Sequence, residues 1–245
     1  MVILSDIKNI MLKGKATKAL YYKYKEKTLN CEYKKMNRKD IFKNIYQNHY
    51  WGNDGSEYYS GEGSRIQKFV NPYCELIQKY IQDNNIKTVI DLGCGDFHVA
   101  NEWLKGVNVN YIGVDIYDDM IKHNIACYSN DNIRFECLDI VKDKLPQGDL
   151  CLIRQVFQHL TNNDIKQVLL NAKDFPNIIV TEHVTTKCKS DSYNIDIIAG
   201  KSIRTKMGSG VYLDENPFNL KISEMLTIPY YLEANTELNS VLIKN

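Results

Sequence analysis

The sequence has no apolar run near the roughly 20 residues that a membrane-spanning helix needs, so no such span is predicted. Its start lacks the apolar stretch of a signal peptide, because Lys8, Lys13, Lys15 and Lys18 interrupt it. None of the seven cysteines forms a CxxC pair, and their odd number argues against a disulfide framework. Reduced thiols in a cytoplasm are therefore expected. The five histidines are scattered without ligand-like spacing, so no metal site is expected. Charge of either sign is not in excess: 31 Lys and Arg face 30 Asp and Glu, and a net charge of +1 gives no field to gather nucleic acid. Internal repeats and low-complexity segments are also missing. What is present is 245 residues, 44% of them apolar, enough for one large domain or a domain with an extension.

The chain is organised around TVIDLGCGD, Thr88 to Asp96. Thr88, Val89 and Ile90 run into Asp91, and Gly93 and Gly95 follow. This reads as a buried parallel strand ending in a tight turn. Glycine there allows a sharp bend and a close backbone approach to a ligand. A helix from His98 to Leu104 is expected to turn its first amides toward the same space. A dinucleotide fingerprint wants a third glycine three places after the second, and His98 stands there instead. A carboxylate beside bare backbone suits a cationic ligand better than a polyanion.

Along the chain, alternating and helical patterns predict a doubly wound α/β fold. Asn110 to Asp115 is a second strand, and Asp115 lies twenty residues after Gly95, where its carboxylate can take both hydroxyls of a ribose. Ile133 to Leu138 is a third strand with Asp139 and Ile140 at its end. LCLIR, ending at Arg154, is a fourth, and FPNIIVTEH, ending at Glu182 and His183, is a fifth. His159 either packs near a helix start, capped by Thr161 or Asn162, or faces a pocket. MLTIPYYLEA and SVLIKN, joined by NTELN, form a terminal hairpin.

Three segments are less regular. Residues 1–36 carry nine lysines, with Ile3, Ile7, Ile10 and Met11 at helical spacing. They read either as a solvated extension or as a basic amphipathic helix resting on a membrane or a protein partner. Residues 50–64, YWGNDGSEYYSGEGS, are either a lid bringing Tyr50, Trp51, Ser60 and Ser64 to a ligand or a loop covering the core. Residues 184–220, with Arg204 and Tyr212, are either a substrate-binding insertion or a surface loop.

The D-x-G-x-G of Asp91 to Gly95 resembles motif I of the class I S-adenosylmethionine (SAM) methyltransferases, and YIGVD, FECLDI and DLCLIRQVFQHL are similar to motifs II to IV. The resemblance spans about residues 65–245. It implies a Rossmann-like, seven-stranded doubly wound sheet with a C-terminal antiparallel hairpin, over residues 64–245, behind an N-terminal helical extension and lid loop, 1–63. IYQNHYWG…SGEGS and SGVYLDENPFNL are similar to a narrower group, bacterial methyltransferases of capsule and cell-surface polysaccharide pathways, most of all those that methylate a capsule phosphoramidate.

The family implies SAM as cofactor, with S-adenosylhomocysteine (SAH) as product. By that resemblance Asp91, Gly93, Cys94 and Gly95 line its methionine part, Asp115 and Ile116 its ribose and adenine, and Asp139 and Ile140 its adenine. Arg154 and Gln155 face the sulfonium side. Many members carry a smaller residue in place of Arg154, and a cation there favours a small anionic acceptor. A sugar hydroxyl acceptor needs a base, for which His183 and His159 are the candidates; a phosphoramidate oxygen needs none. An NAD-linked oxidoreductase and a catalytically silent SAM-binding partner are the rival classes.

Overall fold

The computed structural model describes residues 28–186 and 190–245. The chain divides into two compact units, residues 1–37 and 38–245. In the first, residues 28–33 are helical; the amphipathic face of Ile3, Ile7, Ile10 and Met11 lies outside the described residues. The second unit begins at Arg38, so it includes helix α1 (Arg38–Gln47) and the loop 50–64.

The remaining elements alternate as the pattern predicts. They are α2 (Gln67–Asp83), β1 (Thr88–Leu92), α3 (His98–Leu104), β2 (Asn110–Asp115), α4 (Asp118–Tyr128) and β3 (Ile133–Cys137), followed by β4 (Leu150–Arg154), α5 (Asn162–Asn171), β5 (Asn177–Thr185), β6 (Ser223–Pro229) and β7 (Thr236–Lys244). The seven strands form one sheet in the order β3-β2-β1-β4-β5-β7-β6. Strands β1 to β5 run parallel, and β7 joins antiparallel between β5 and β6. This is the Rossmann-like sheet expected, including its antiparallel end.

Both faces of the sheet are covered, which explains why its strands read as continuous apolar runs. Ile90, Leu92, Ile112, Cys151 and Ile178 enter one core with Ile165 and Val168 of α5. Val89, Tyr111, Leu152 and Ile179 enter the other with Tyr73 and Ile77 of α2 and Trp103 of α3. Asp91 shares the face of Val89, two residues away. Thr161 caps α5, its hydroxyl accepting from the Asp164 amide at 3.0 Å. Helix α2 runs unbroken through Pro72, with Phe69, Tyr73 and Ile77 all buried.

The hairpin differs in detail. Its turn is Tyr230 to Asn235, not NTELN, and β7 starts at Thr236. The polar residues Thr236, Glu237 and Asn239 belong to the strand because β5 pairs with them, Thr236 opposite Thr185 and Asn239 opposite Glu182. Sheet order reverses between β1 and β4, and open α/β sheets bind ligands at the carboxyl ends of strands flanking such a reversal.

Candidate functional site

A cavity of about 450 Å³ opens at that edge. The turn after β1 forms its floor. Gly93 has φ 79°, and a Cβ there would stand 2.4 Å from Val156 Cγ2; Gly95 has φ 56°, and its Cβ would stand 2.5 Å from Ser60 Oγ. Only glycine fits both positions without strain or displacement. Helix α3 contributes less than expected. It has the expected bounds, His98–Leu104, but its first amide, His98 N, is taken up by Asp96 Oδ1 at 3.3 Å.

Three acids reach the cavity from the ends of successive strands. Asp91 accepts from the Tyr111 hydroxyl at 2.9 Å. Burial pushes its carboxyl up to about 6, against the pull of that hydrogen bond and of Arg154. Asp115 accepts from Gly95 N on one oxygen and Tyr117 N on the other, both at 3.1 Å, and burial raises it too. Asp139 is gripped by Arg38, which bonds both of its oxygens and also Asp164. Cys94, Ile116 and Ile140 line the same cavity.

Across the sheet from these acids the lining changes sign. Arg154, on β4, donates from Nη2 to Gly63 O at 2.8 Å and lies 5.1 Å from the Tyr73 ring centroid. Its Nε is buried without a partner. Gln155 follows it on the lining, and adding a Cβ to Gly63 would meet the Gln155 amide at 2.5 Å.

The loop 50–64 lies on the glycine turn. Ser60 N donates to Asp96 Oδ2 at 3.0 Å, and Asp96 N returns a bond to Ser60 Oγ at 3.1 Å. Arg65 ties Asp96 to Asp54. Tyr50, Trp51, Ser60 and Ser64 all line the cavity. Ser64 Oγ is turned onto Gly61 O at 2.6 Å, whereas Trp51 Nε1 is buried with no partner. Trp51 packs its ring against His159 at 4.7 Å.

The two histidines line the cavity in different states. His159 Nδ1 faces Gly200 O at 3.0 Å, so it carries the proton, and Nε2 meets the Gln158 amide at 3.2 Å. Both nitrogens are engaged, and burial lowers its pKa to about 4. His183 Nε2 meets Thr236 Oγ1 at 2.7 Å, and its ring lies 4.1 Å from that of Tyr230. Burial lowers it to about 4 as well.

Two residues expected at the site lie elsewhere. Arg204 is fully buried off the cavity, donating to Ile195 O, Phe157 O, Leu160 O and Asn162 Oδ1. Its guanidinium holds the insertion to the strand-β4 turn. Tyr212 donates from its hydroxyl to Thr185 O at 2.8 Å, also away from the cavity. Glu182 is similarly structural: it accepts from the amides of Val156, Phe157 and Gln158. The insertion still reaches the cavity through Lys201, Ile203 and Lys206. Sequence reasoning misses Arg38, Tyr46, Tyr73, Lys201 and Tyr230; Lys206 stands beside Arg204 in the insertion, but nothing in the spacing ranks either lysine above that arginine.

Among the described residues no His, Cys, Asp and Glu group is arranged to hold a metal, and no helix is long and apolar enough to cross a membrane.

Residues 89–175 match the family model described as a methyltransferase domain. The match begins in β1 and ends after α5, so it contains the acid-and-glycine edge. No curated protein matches the chain. Among solved structures the fold is similar to the N-methyltransferase NodS from Bradyrhizobium japonicum WM9 in complex with SAH. The TM-score is 0.59 at 11% identity, over 82% of this chain and 98% of that one. It is also similar to the N-terminal domain of EvdMO1 in the presence of SAH and D-fucose, with a TM-score of 0.53 at 12% identity over 85% and 97% of the chains. The DhpI–SAH complex gives 0.51 at 12% identity over 83% and 94%. At these identities the likeness is one of fold.

Proposed function

We propose that the chain is a SAM-dependent O-methyltransferase acting on a small anionic acceptor. The two candidate acceptors are a phosphoramidate and a sugar-nucleotide-linked precursor, both in the cytoplasmic stage of capsule or surface-polysaccharide modification. The observation that carries this reading is the change of sign along the sheet edge. Carboxylates stand at β1, β2 and β3, and the buried Arg154 stands at β4. A donor with an ammonium and a sulfonium suits the acid side. Asp91 and Asp115, both held up by burial, gain from a cation beside them. The match over residues 89–175 and the SAH held by the similar folds support the same cofactor.

The acceptor is argued from unused donors. Arg154 Nε and Trp51 Nε1 are buried at the cavity without partners, and Lys201 and Lys206 line it. Cationic side chains on a cavity lining suit a ligand rich in anionic oxygens. In-line methyl transfer asks the protein mainly for alignment, which the lid and the glycine turn supply.

The test is mass spectrometry of nucleotide-linked cell-surface precursors incubated with the chain and methyl-labelled SAM. Label is expected in an anionic species, and Lys201→Ala with Lys206→Ala is expected to raise the acceptor KM while leaving SAM affinity unchanged. Label confined to a neutral amine would overturn the acceptor.

A further inference from the structure

Of the two histidines at the cavity, only one has a lone pair to spare, and its neighbours decide which one. Thr236 Oγ1 sits between His183 Nε2, at 2.7 Å, and Glu233 O, at 2.8 Å. A carbonyl oxygen only accepts, so the threonine's single proton goes to Glu233 O. Its oxygen is then an acceptor toward His183, and Nε2 must carry the imidazole proton. That leaves Nδ1 as a bare lone pair. Among the described residues Nδ1 makes no hydrogen bond, and it is not one of the sealed, unpartnered atoms. His183 lines the cavity that Lys201, Lys206 and Arg154 also line. His159, by contrast, has both nitrogens engaged, by Gly200 O and the Gln158 amide.

We infer that Thr236 is a positioning residue that fixes His183 with Nδ1 as the proton acceptor, and that the methylated atom is therefore a hydroxyl oxygen on an anionic, sugar-nucleotide-like acceptor rather than an oxygen already ionised. This rests on the methyl-transfer reading and chooses between its two acceptors. In the step, the hydroxyl oxygen forms a bond to the donor methyl carbon. The carbon–sulfur bond breaks with its electron pair left on sulfur. The hydroxyl proton passes to Nδ1, so the imidazolium takes up the positive charge that the sulfur gives up. A phosphoramidate oxygen has no proton to pass on and would leave His183 without a role.

The experiment has two arms. In the first, the ligand-free full chain is labelled with ¹⁵N and its imidazole tautomers are read from two-bond proton–nitrogen correlations. His183 is expected in the Nε2–H form; Thr236→Val is expected to mix the tautomers, and Thr236→Ser to restore the native one. A native Nδ1–H form, or a tautomer unmoved in Thr236→Val, overturns the inference. In the second, His183→Ala is expected to keep SAM affinity and lose turnover on the precursor pool by about 10²-fold or more. Turnover at the native rate overturns it. The tautomer arm needs neither donor nor acceptor. Its failure is thereby separate from a failure of the methyl-transfer reading, which would appear as absent SAM binding in the native chain.

Discussion

Arg38 holds Asp139 by two parallel bonds, Nε to Oδ1 at 3.1 Å and Nη2 to Oδ2 at 2.8 Å, and gives Nη1 to Asp164 at 2.8 Å. One guanidinium thus joins α1 to the segment just after β3 and to the first turn of α5. The carboxylate that the motif assigns to an adenine is already shared with a cation.

Removing this clamp leaves two largely buried carboxylates without their partner. Arg38→Ala is expected to destabilise the chain by about 2–3 kcal/mol. Arg38→Lys restores only part, since an ammonium cannot bond both oxygens in a fork. Urea denaturation midpoints of the ligand-free chain check this; an unchanged midpoint in Arg38→Ala would refute the clamp.

Asp91 is expected to trade stability for ligand binding. Burial raises its folded pKa from 3.8 to about 6. The folded state therefore holds a proton that the unfolded chain has released, and its contribution to stability is full below 3.8 and fades as pH rises toward 6. At pH 7.5 the ionised carboxyl is a burden, so Asp91→Asn is expected to stabilise the free chain by about 1–3 kcal/mol. A cationic ligand reverses the sign. SAM affinity is expected to fall about tenfold from pH 7.5 to pH 5 in the native chain, and to be weak and nearly flat with pH in Asp91→Asn. Thermal melts and titration calorimetry at the two pH values read both effects.

Arg204 was expected to touch substrate and is instead bonded to three carbonyls and Asn162. Arg204→Met is accordingly expected to cost about 3 kcal/mol or more of stability. A native melting temperature with only a raised acceptor KM would put Arg204 back at the site.

Much of this was legible because strand-end chemistry and sheet topology are local. The run TVIDLGCGD carries its own strand, turn and acid, and Asp115 and Asp139 follow at βαβ spacing. The residues that were not legible are joined over long separations. Arg38 meets Asp139 across 101 positions, and His183 meets Thr236 across 53. No periodicity announces such pairs. Thr236 was hidden further because β5 draws Thr236 to Asn239 into a strand, where the composition of NTELN reads as a turn. Arg204 misled for the opposite reason: a cation in a loop near a pocket has the same sequence signature whether it faces ligand or caps carbonyls.

Gly95 is a sharper probe of the loop 50–64 than any residue within it. Its φ of 56° and the 2.5 Å that would separate an added Cβ from Ser60 Oγ mean that Gly95→Ala strains the turn and pushes the loop away together. A left-handed alanine alone costs about 1–2 kcal/mol. SAM affinity is expected to drop in Gly95→Ala and to recover in part when Ser60→Gly is added, which removes the clashing hydroxyl. No recovery in the double variant would show that Ser60 does not set the loop's position.

The most direct measurement is calorimetric titration of the full chain at pH 7.5 with SAM and, separately, with NAD. SAM is expected to bind at one site per chain, with Asp115→Asn abolishing the heat and Arg204→Lys keeping it, and NAD is expected to give none. Heat from NAD with none from SAM would contradict the reading of the acid-lined edge as the seat of a cationic methyl donor.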